Sequence, residues 1–384
     1  MRPAWFATLA LVLAATLSAA CGDGDTSGAA GSHSVAAAIS TAPTEEPTPK
    51  PLASGPGLTI PSAAPEFIRL EGWMNSKALT TEGLAAANRV VLVDFWTYTC
   101  INCIRTLPFS RDWHDKYADH GLTIVGVHAP EFDFEEERDN ALAAVDRHAI
   151  GYPVAQDNEM ATWRACNNFF WPAKYLIGAD GNVRFQHFGE GRYDETESQI
   201  RRALEDADYD VSTIPLGGVD SQRLDPHART ITRELYGGYE RNYTENGLYA
   251  AQAAYYEGPD HTVEYQDVLP ETERNHSQWY LQGGWRNERE AVVHARETDS
   301  PSDYLAFRFV ARSVDVVLRS ATGEPYTVLV IDGSPLPLEE AGAEPREYHL
   351  VELPMIGDRE LRLSSTSSDF SMLSVTFGAY SSGA

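Results

Sequence analysis

Val90-Val91-Leu92-Val93-Asp94-Phe95-Trp96-Thr97-Tyr98-Thr99-Cys100-Ile101-Asn102-Cys103 is the stretch that decides the fold. Its first half is an almost unbroken apolar run, which reads as a strand buried on both faces. Thr97-Tyr98-Thr99 is a short connector, and two cysteines three residues apart follow. Residues at i and i+3 meet on one turn of a helix. A helix starting near Cys100 therefore puts one sulfur at its N-terminus, with the second close behind and able to close a disulfide. There the unpaired N–H groups and the positive dipole end favour thiolate over thiol. Buried strand, connector and paired cysteines make a redox device.

Outward from this stretch, strand and helix patterns alternate over residues 66–208. Residues 100–120 read as a helix kinked by Pro108, and 122–128 as a second strand. Residues 134–148 are helical, with Ala141, Leu142, Val145 and His148 on one face. A short helix over 159–169 follows. Strands over 173–177 and 183–188 flank the turn signal Asp180-Gly181, and a helix over 196–206 closes the pattern. The order implies an α/β domain: a mixed central sheet with helices on both faces. The acidic run from Glu131 to Asp139 reads as a solvated helix start. A linker over 209–225 contains Pro215-Leu216-Gly217-Gly218. Beyond it, runs at 304–310, 314–318, 326–331, 348–353, 361–364 and 373–377 are separated by turn signals at Thr322-Gly323, Asp332-Gly333 and Ile356-Gly357-Asp358. Short strands at this spacing imply an all-β sandwich of jelly-roll type over 226–384.

The chain has 384 residues and a formal net charge of −26. That balance excludes nucleic acid, whose binding needs a basic footprint. Arg2 and the apolar run 4–17 read as a signal peptide over 1–20. Leu17-Ser18-Ala19-Ala20-Cys21 resembles a bacterial lipoprotein box, which makes Cys21 the lipidation site, although Ser18 stands where an apolar residue is usual. Residues 21–65 form a low-complexity, disordered tether. The expected location is the outer face of the cell membrane, with secretion as the alternative. Of the four cysteines, Cys166 is left over: a small buried hydrophobe or a further redox partner.

The segment Asp94-Phe95-Trp96-Thr97-Tyr98-Thr99-Cys100-x-x-Cys103 resembles the thioredoxin superfamily, and Trp171-Pro172 matches the cis-proline that faces the disulfide there. The resemblance is closest to the soluble part of DipZ-type proteins. It rests on Trp96-Thr97-Tyr98-x-Cys100-Ile101-Asn102-Cys103, Gly126-Val127-His128-x-Pro130-Glu131-Phe132, Trp171-Pro172-Ala173-x-Tyr175-Leu176-Ile177 and Phe188-Gly189-Glu190-Gly191. It covers 66–377 and implies a second domain like a carbohydrate-binding module. The resemblance and thiol chemistry together assign the roles. Cys100 is the attacking thiolate and Cys103 resolves the mixed disulfide. A buried Asp94 with a raised pKa takes the proton from Cys103. Pro172 shapes the substrate groove and keeps metals off the cysteines, and Trp171 and Thr99 border that groove. Glu131, just past the second strand, assists proton transfer. No cofactor beyond a Cys100–Cys103 disulfide is implied. The partners implied are exported proteins with disulfides or thiols and, because the multi-span membrane domain of the DipZ type is not in this sequence, a membrane electron carrier of CcdA or DsbD type.

The resulting expectation is an extracytoplasmic thiol–disulfide oxidoreductase that reduces or isomerises disulfides in exported proteins. Two alternatives compete. A thiol peroxidase of peroxiredoxin type has Thr97-x-x-Cys100 in its favour, but Val93 stands where that family carries proline. A glycan- or wall-binding protein would use Trp279, Tyr280, Trp285, Tyr236, Tyr239, Tyr255 and Tyr256 as stacking faces. A copper site joining Cys100, Cys103 and His128 has the wrong spacing. Haem attachment fails because Ile104 follows the second cysteine.

Overall fold

The central strand is buried at every residue, as an apolar run without alternation requires. In the computed structural model, which describes residues 63–219, 231–242, 249–270 and 273–379, this strand belongs to a six-stranded sheet. The sheet contains β1 (Gly72–Met74), β2 (Val90–Trp96), β3 (Leu122–His128), β4 (Val154–Gln156), β5 (Ala173–Ile177) and β6 (Val183–Phe188), in the order β1-β4-β3-β2-β5-β6. Strands β2, β3 and β4 run parallel, and β1, β5 and β6 pair antiparallel. The expected signal peptide, Cys21 and nearly all of the tether lie outside the described residues.

Alternate residues of β2 face opposite layers. Val90, Leu92 and Trp96 pack with Leu107 and Trp113 of α2 (Ile101–Tyr117), Val145 of α3 (Arg138–Arg147) and Ile200 of α5 (Tyr193–Asp206). Val91, Val93 and Phe95 pack with Leu84 of α1 (Thr81–Ala86) and Trp163 of α4 (Ala161–Ala165). Both layers of the expected α/β domain are therefore present. Helix boundaries differ from expectation. Helix α3 starts four residues late, because a 3₁₀ turn over Asp133–Glu135 precedes it. The expected solvated acidic run is also corrected: Glu135 is fully buried there.

The second domain is all-β. Its strands are β7 (Leu235–Tyr236), β8 (Thr262–Tyr265), β9 (Trp279–Asn287), β10 (Val292–His294), β11 (Tyr304–Arg319), β12 (Tyr326–Asp332), β13 (Ser334–Ala341), β14 (Arg346–Ser364) and β15 (Ser371–Gly378). All of them join one hydrogen-bonded sheet. Strand β11 pairs with β9 through its first half and with β15 through its second, and β10 bridges β15 to β9. These four strands close a ring, so the sheet curls over itself and supplies both faces of its core. Two expected strands fuse into β11 and two more into β14. Register shifts at Ala311/Ser313 and Val314/Asp315 absorb the irregularity that a turn would otherwise take.

The core of this domain holds the aromatic residues that a sugar platform would need outside. Trp279 and Trp285 are 0% exposed, Tyr255 1% and Tyr280 2%. That corrects the stacking-face expectation for these four residues: a ring enclosed by protein cannot lie on a sugar. Both sheets belong to one compact unit. Phe132, from the loop after β3, packs with Ala291, Val293, Val317 and Leu373 of the second domain. Arg105 of α2, also buried, donates to Ser313 Oγ at 2.6 Å and Asp315 Oδ2 at 3.2 Å on β11. Among the described residues no helix is long and apolar enough to cross a membrane.

Candidate active site

Cys100 is the N-cap of α2 in extended backbone conformation, and its sulfur accepts the Cys103 N–H at 3.2 Å. It thus sits where the first turn presents unpaired donors. Cys103 lies one turn on and is fully buried, whereas Cys100 is partly exposed; both are free thiols. The Trp171–Pro172 peptide is cis. Strand β2 delivers the pair through Thr97-Tyr98-Thr99, whose residues are all buried.

Cys100 opens into a cleft of about 50 Å³ that both domains build. Glu131 and Trp171 line it from the first domain, and Glu234, Tyr236 and Thr376 from the second. The electrostatics oppose the helix N-terminus. Burial, then Cys103, then the carboxylates of Glu131 and Glu234 push the Cys100 thiol well above its ordinary range. The N-cap geometry that favours a thiolate is present, and burial and like charge act against it. Burial also raises Cys103.

The expected site residues divide. Glu131 and Trp171 border the cleft. Trp171 is fixed by its indole N–H on Ala129 O at 3.0 Å and by Trp163, 4.2 Å away between ring centres. Thr99 does not border it. Its hydroxyl donates to Glu135 Oε1 at 2.5 Å, and its N–H donates to the same atom at 3.2 Å. Asp94 is 1% exposed, but the lone acid expected there is one half of a buried ion pair. Lys174 Nζ lies 2.8 Å from Asp94 Oδ1, and Ser110 Oγ donates to Oδ2 at 2.7 Å. His128 is buried neutral, with its pKa depressed to about 3 by desolvation. Cys166 is buried, and burial lifts its thiol to about 12. Among the described residues no group of three or more His, Cys, Asp or Glu side chains is placed to hold a metal ion.

Several residues of the site are not assigned to it from sequence, which reads Tyr236 only as a stacking face for sugar. Glu135, fully buried and raised to about 7 by burial and Glu131, accepts the Phe132 N–H at 3.1 Å and a short bond from Glu131 N–H. It thereby ties the connector before Cys100 to the loop that carries Glu131. Glu234 and Tyr236 come from β7 and the residue before it, and alternation puts both side chains on one face. Tyr236 Oη lies 2.9 Å from Glu131 Oε1 and 3.0 Å from Glu234 Oε2. Thr376 Oγ1 donates to Glu234 Oε1 at 2.8 Å, and Arg241 holds Glu131 in a short ion pair. The Glu-Leu-Tyr alternation was the only sequence signal, and it carries no address. Lys174 had a stronger one: a lysine inside a buried apolar strand needs a partner.

A paired-cysteine helix start, a cis Trp171–Pro172 peptide and a mixed sheet layered by helices define a thioredoxin-like domain. Residues 232–378 match the family described as Thioredoxin like C-terminal domain. Protein DipZ of Mycobacterium tuberculosis is 33% identical over 301 residues, covering 77% of this chain and 39% of that protein. The chain therefore spans about two fifths of this relative's length. Thiol-disulfide oxidoreductase YkuV of Bacillus subtilis is 27% identical over 140 residues, covering 36% of this chain and 93% of YkuV. The crystal structure of a thiol:disulfide interchange protein of the thioredoxin family from Chlorobium tepidum is 22% identical, covers 38% of this chain and 98% of its own, and superposes with a TM-score of 0.33. The chain carries a thioredoxin-like domain joined to a second, all-β domain, and is similar to DipZ over 301 residues.

Proposed function

We propose that this chain is an extracytoplasmic thiol–disulfide oxidoreductase that works as a reductant of disulfides in exported proteins. One observation carries the reading: Cys100 caps a helix at the mouth of a cleft, with Cys103 buried one turn behind it. Cys100 attacks one sulfur of a substrate disulfide and forms a mixed disulfide, and the other substrate sulfur leaves as a thiol. Cys103 then attacks Cys100, closes the Cys100–Cys103 disulfide and releases the second substrate thiol. Two electrons pass from the dithiol to the substrate, and no other cofactor takes part.

The direction follows from the electrostatics. Strong oxidants of this class owe their power to a stabilised thiolate in the reduced form. Here burial and the Glu131 carboxylate disfavour that thiolate, so the dithiol gives up its electrons more readily. The same setting opposes a thiol peroxidase, which needs a standing thiolate. Re-reduction of the disulfide calls for a donor, and a membrane carrier of CcdA or DsbD type fits an enzyme lipid-anchored through Cys21. Pro172 shapes the substrate groove, and the Asp94–Lys174 pair flanks Cys103 as its proton partner.

The test is disulfide reduction by the full chain with its two single-cysteine variants. Cys100→Ser should abolish turnover, and Cys103→Ser should accumulate mixed disulfides on Cys100. Full turnover by Cys100→Ser protein sinks the assignment. The reduction potential should fall near that of thioredoxin, about −270 mV, rather than near the oxidising value of about −120 mV.

A further inference from the structure

The second domain does more than cover the first: it brings three polar side chains to the mouth of the Cys100 cleft. Tyr236 Oη stands within hydrogen-bond distance of two carboxyl groups, Glu131 and Glu234. A phenol has one hydrogen and can donate it to only one of them. The other contact is a hydrogen bond only if that carboxyl is itself protonated and donates to the phenol oxygen. Arg241 decides which carboxyl holds the proton. Its guanidinium is ion-paired to Glu131 and also donates to Glu131 O at 2.9 Å. Glu131 is therefore the ionised partner. Among the described residues Glu234 makes no ion pair, Arg241 acting on it only from beyond contact, and Thr376 supplies a neutral donor to its far oxygen at 2.8 Å. The chain of bonds runs from the Glu234 carboxyl to the Tyr236 hydroxyl to the Glu131 carboxylate.

We propose that Glu234 and Tyr236 of the second domain complete the active site, joining Glu131 in a carboxyl pair that carries the exchangeable proton of the Cys100 reaction. The proposal rests on Cys100 being the attacking sulfur. As the Cys100 sulfur bonds to a substrate sulfur, its proton passes to the pair; the substrate S–S bond breaks, and the leaving sulfur takes a proton from the pair. The pair ends as it began. Cys103 gives its own proton to the second substrate sulfur. The groups that face the pair are Cys100, Arg241, Thr376 and Trp171, with Glu135, itself raised to about 7, beside Glu131, and Glu290 beyond Arg241. Burial and the Glu131 charge lift Glu234 to about 7, which suits a group that must both take and give a proton near neutrality.

The measurement is the rate of Cys100 carboxamidomethylation by iodoacetamide in the reduced full chain, from pH 5 to 10, read by mass spectrometry of the Cys100 peptide. Wild type should show two ionisations: the pair near pH 7, whose ionisation restrains the thiolate, and Cys100 itself above it. Glu234→Gln removes the first and speeds alkylation at pH 8 by up to about tenfold, the change in thiolate for one pKa unit. Tyr236→Phe unlinks the two carboxyls and moves the lower step. A Glu234→Gln profile that superimposes on wild type overturns the proposal. If that variant does not fold, Thr376→Val removes one hydrogen bond to Glu234 and should shift the lower step upward, and an unmoved step is equally fatal. Turnover by Cys100→Ser would instead mean that the underlying assignment has failed, so the two failures are distinguishable.

Discussion

Lys174 and Asp94 sit directly opposite each other on β5 and β2, on the face that α2 covers. Both are almost fully enclosed, and Lys174 Nζ reaches Thr106 Oγ1 at 3.2 Å as well. A buried pair adds little net stability over an apolar one, but removing one partner strands a charge. Lys174→Met should therefore cost about 3–5 kcal/mol in urea unfolding, and adding Asp94→Asn should recover a large part of it. Equal loss in the single and double variants would mean that the charges are not coupled. At this scale the sequence was legible where chemistry is local. Cys100, Cys103, Pro172 and Glu131 stand out by spacing and neighbours. Lys174, Glu234 and Tyr236 did not stand out as site residues, because the partners that place them there, Asp94, Glu131 and Thr376, lie 80 to 142 residues away along the chain.

The N-terminal part of helix α2 is held by two different means. Its start is fixed by the Cys100 cap, and the turn after it by Arg105. That guanidinium reaches Ser313 and Asp315 on β11 and faces Glu190 Oε1 at 3.6 Å, after β6. Gly378 closes the same corner, since a Cβ there would come within 2.2 Å of Ser313 Oγ. Arg105→Ala leaves two buried acids facing each other, so it should cost several kcal/mol, on the order of 3–5. Amide hydrogen exchange should accelerate in the first half of α2 and in β11 together. Faster exchange in α2 alone would show that Arg105 does not couple the domains. Element existence was legible from periodicity, and element length was not. Ile356-Gly357-Asp358 reads as a turn by composition, yet Gly357 and Asp358 pair with Ala311 and Val310 of β11, and the ladder breaks just before them, between Glu352 and Gly357. β1 and β4 are too short to carry a period.

Across the whole molecule, acids are buried where the two domains and the Cys100 loops meet. Burial raises Glu135, Glu190 and Glu234 to about 7 and Glu347 to about 8, from an ordinary 4.5. Between 4.5 and these values the folded chain holds protons that the unfolded chain has lost, so stability falls as pH rises. His349, raised by its bond to Asp315, acts in the same sense above 6.5. His128 and His148, depressed to about 3 and 4, act oppositely. The unfolded chain protonates them below 6.5 while the folded one does not, which costs stability as pH falls. Below 6.5 these histidines, with His187 lowered by burial in the same way, offset part of the loss from the carboxyls, and above it they do not. The melting temperature should therefore fall most steeply between pH 6.5 and 8 and level off beyond. Glu135→Gln keeps an acceptor for Thr99 and removes one titration, so it should flatten that fall. A melting temperature constant or rising from pH 6.5 to 8.5 would show these carboxyls to be ionised already and stabilised by contacts stronger than their burial. The same window contains the ionisation of Glu234, so alkylation of Cys100 and unfolding should be followed on one sample. If the acids act as placed, acidification toward pH 6.5 tightens the joint between the domains as it protonates the carboxyl pair beside Cys100.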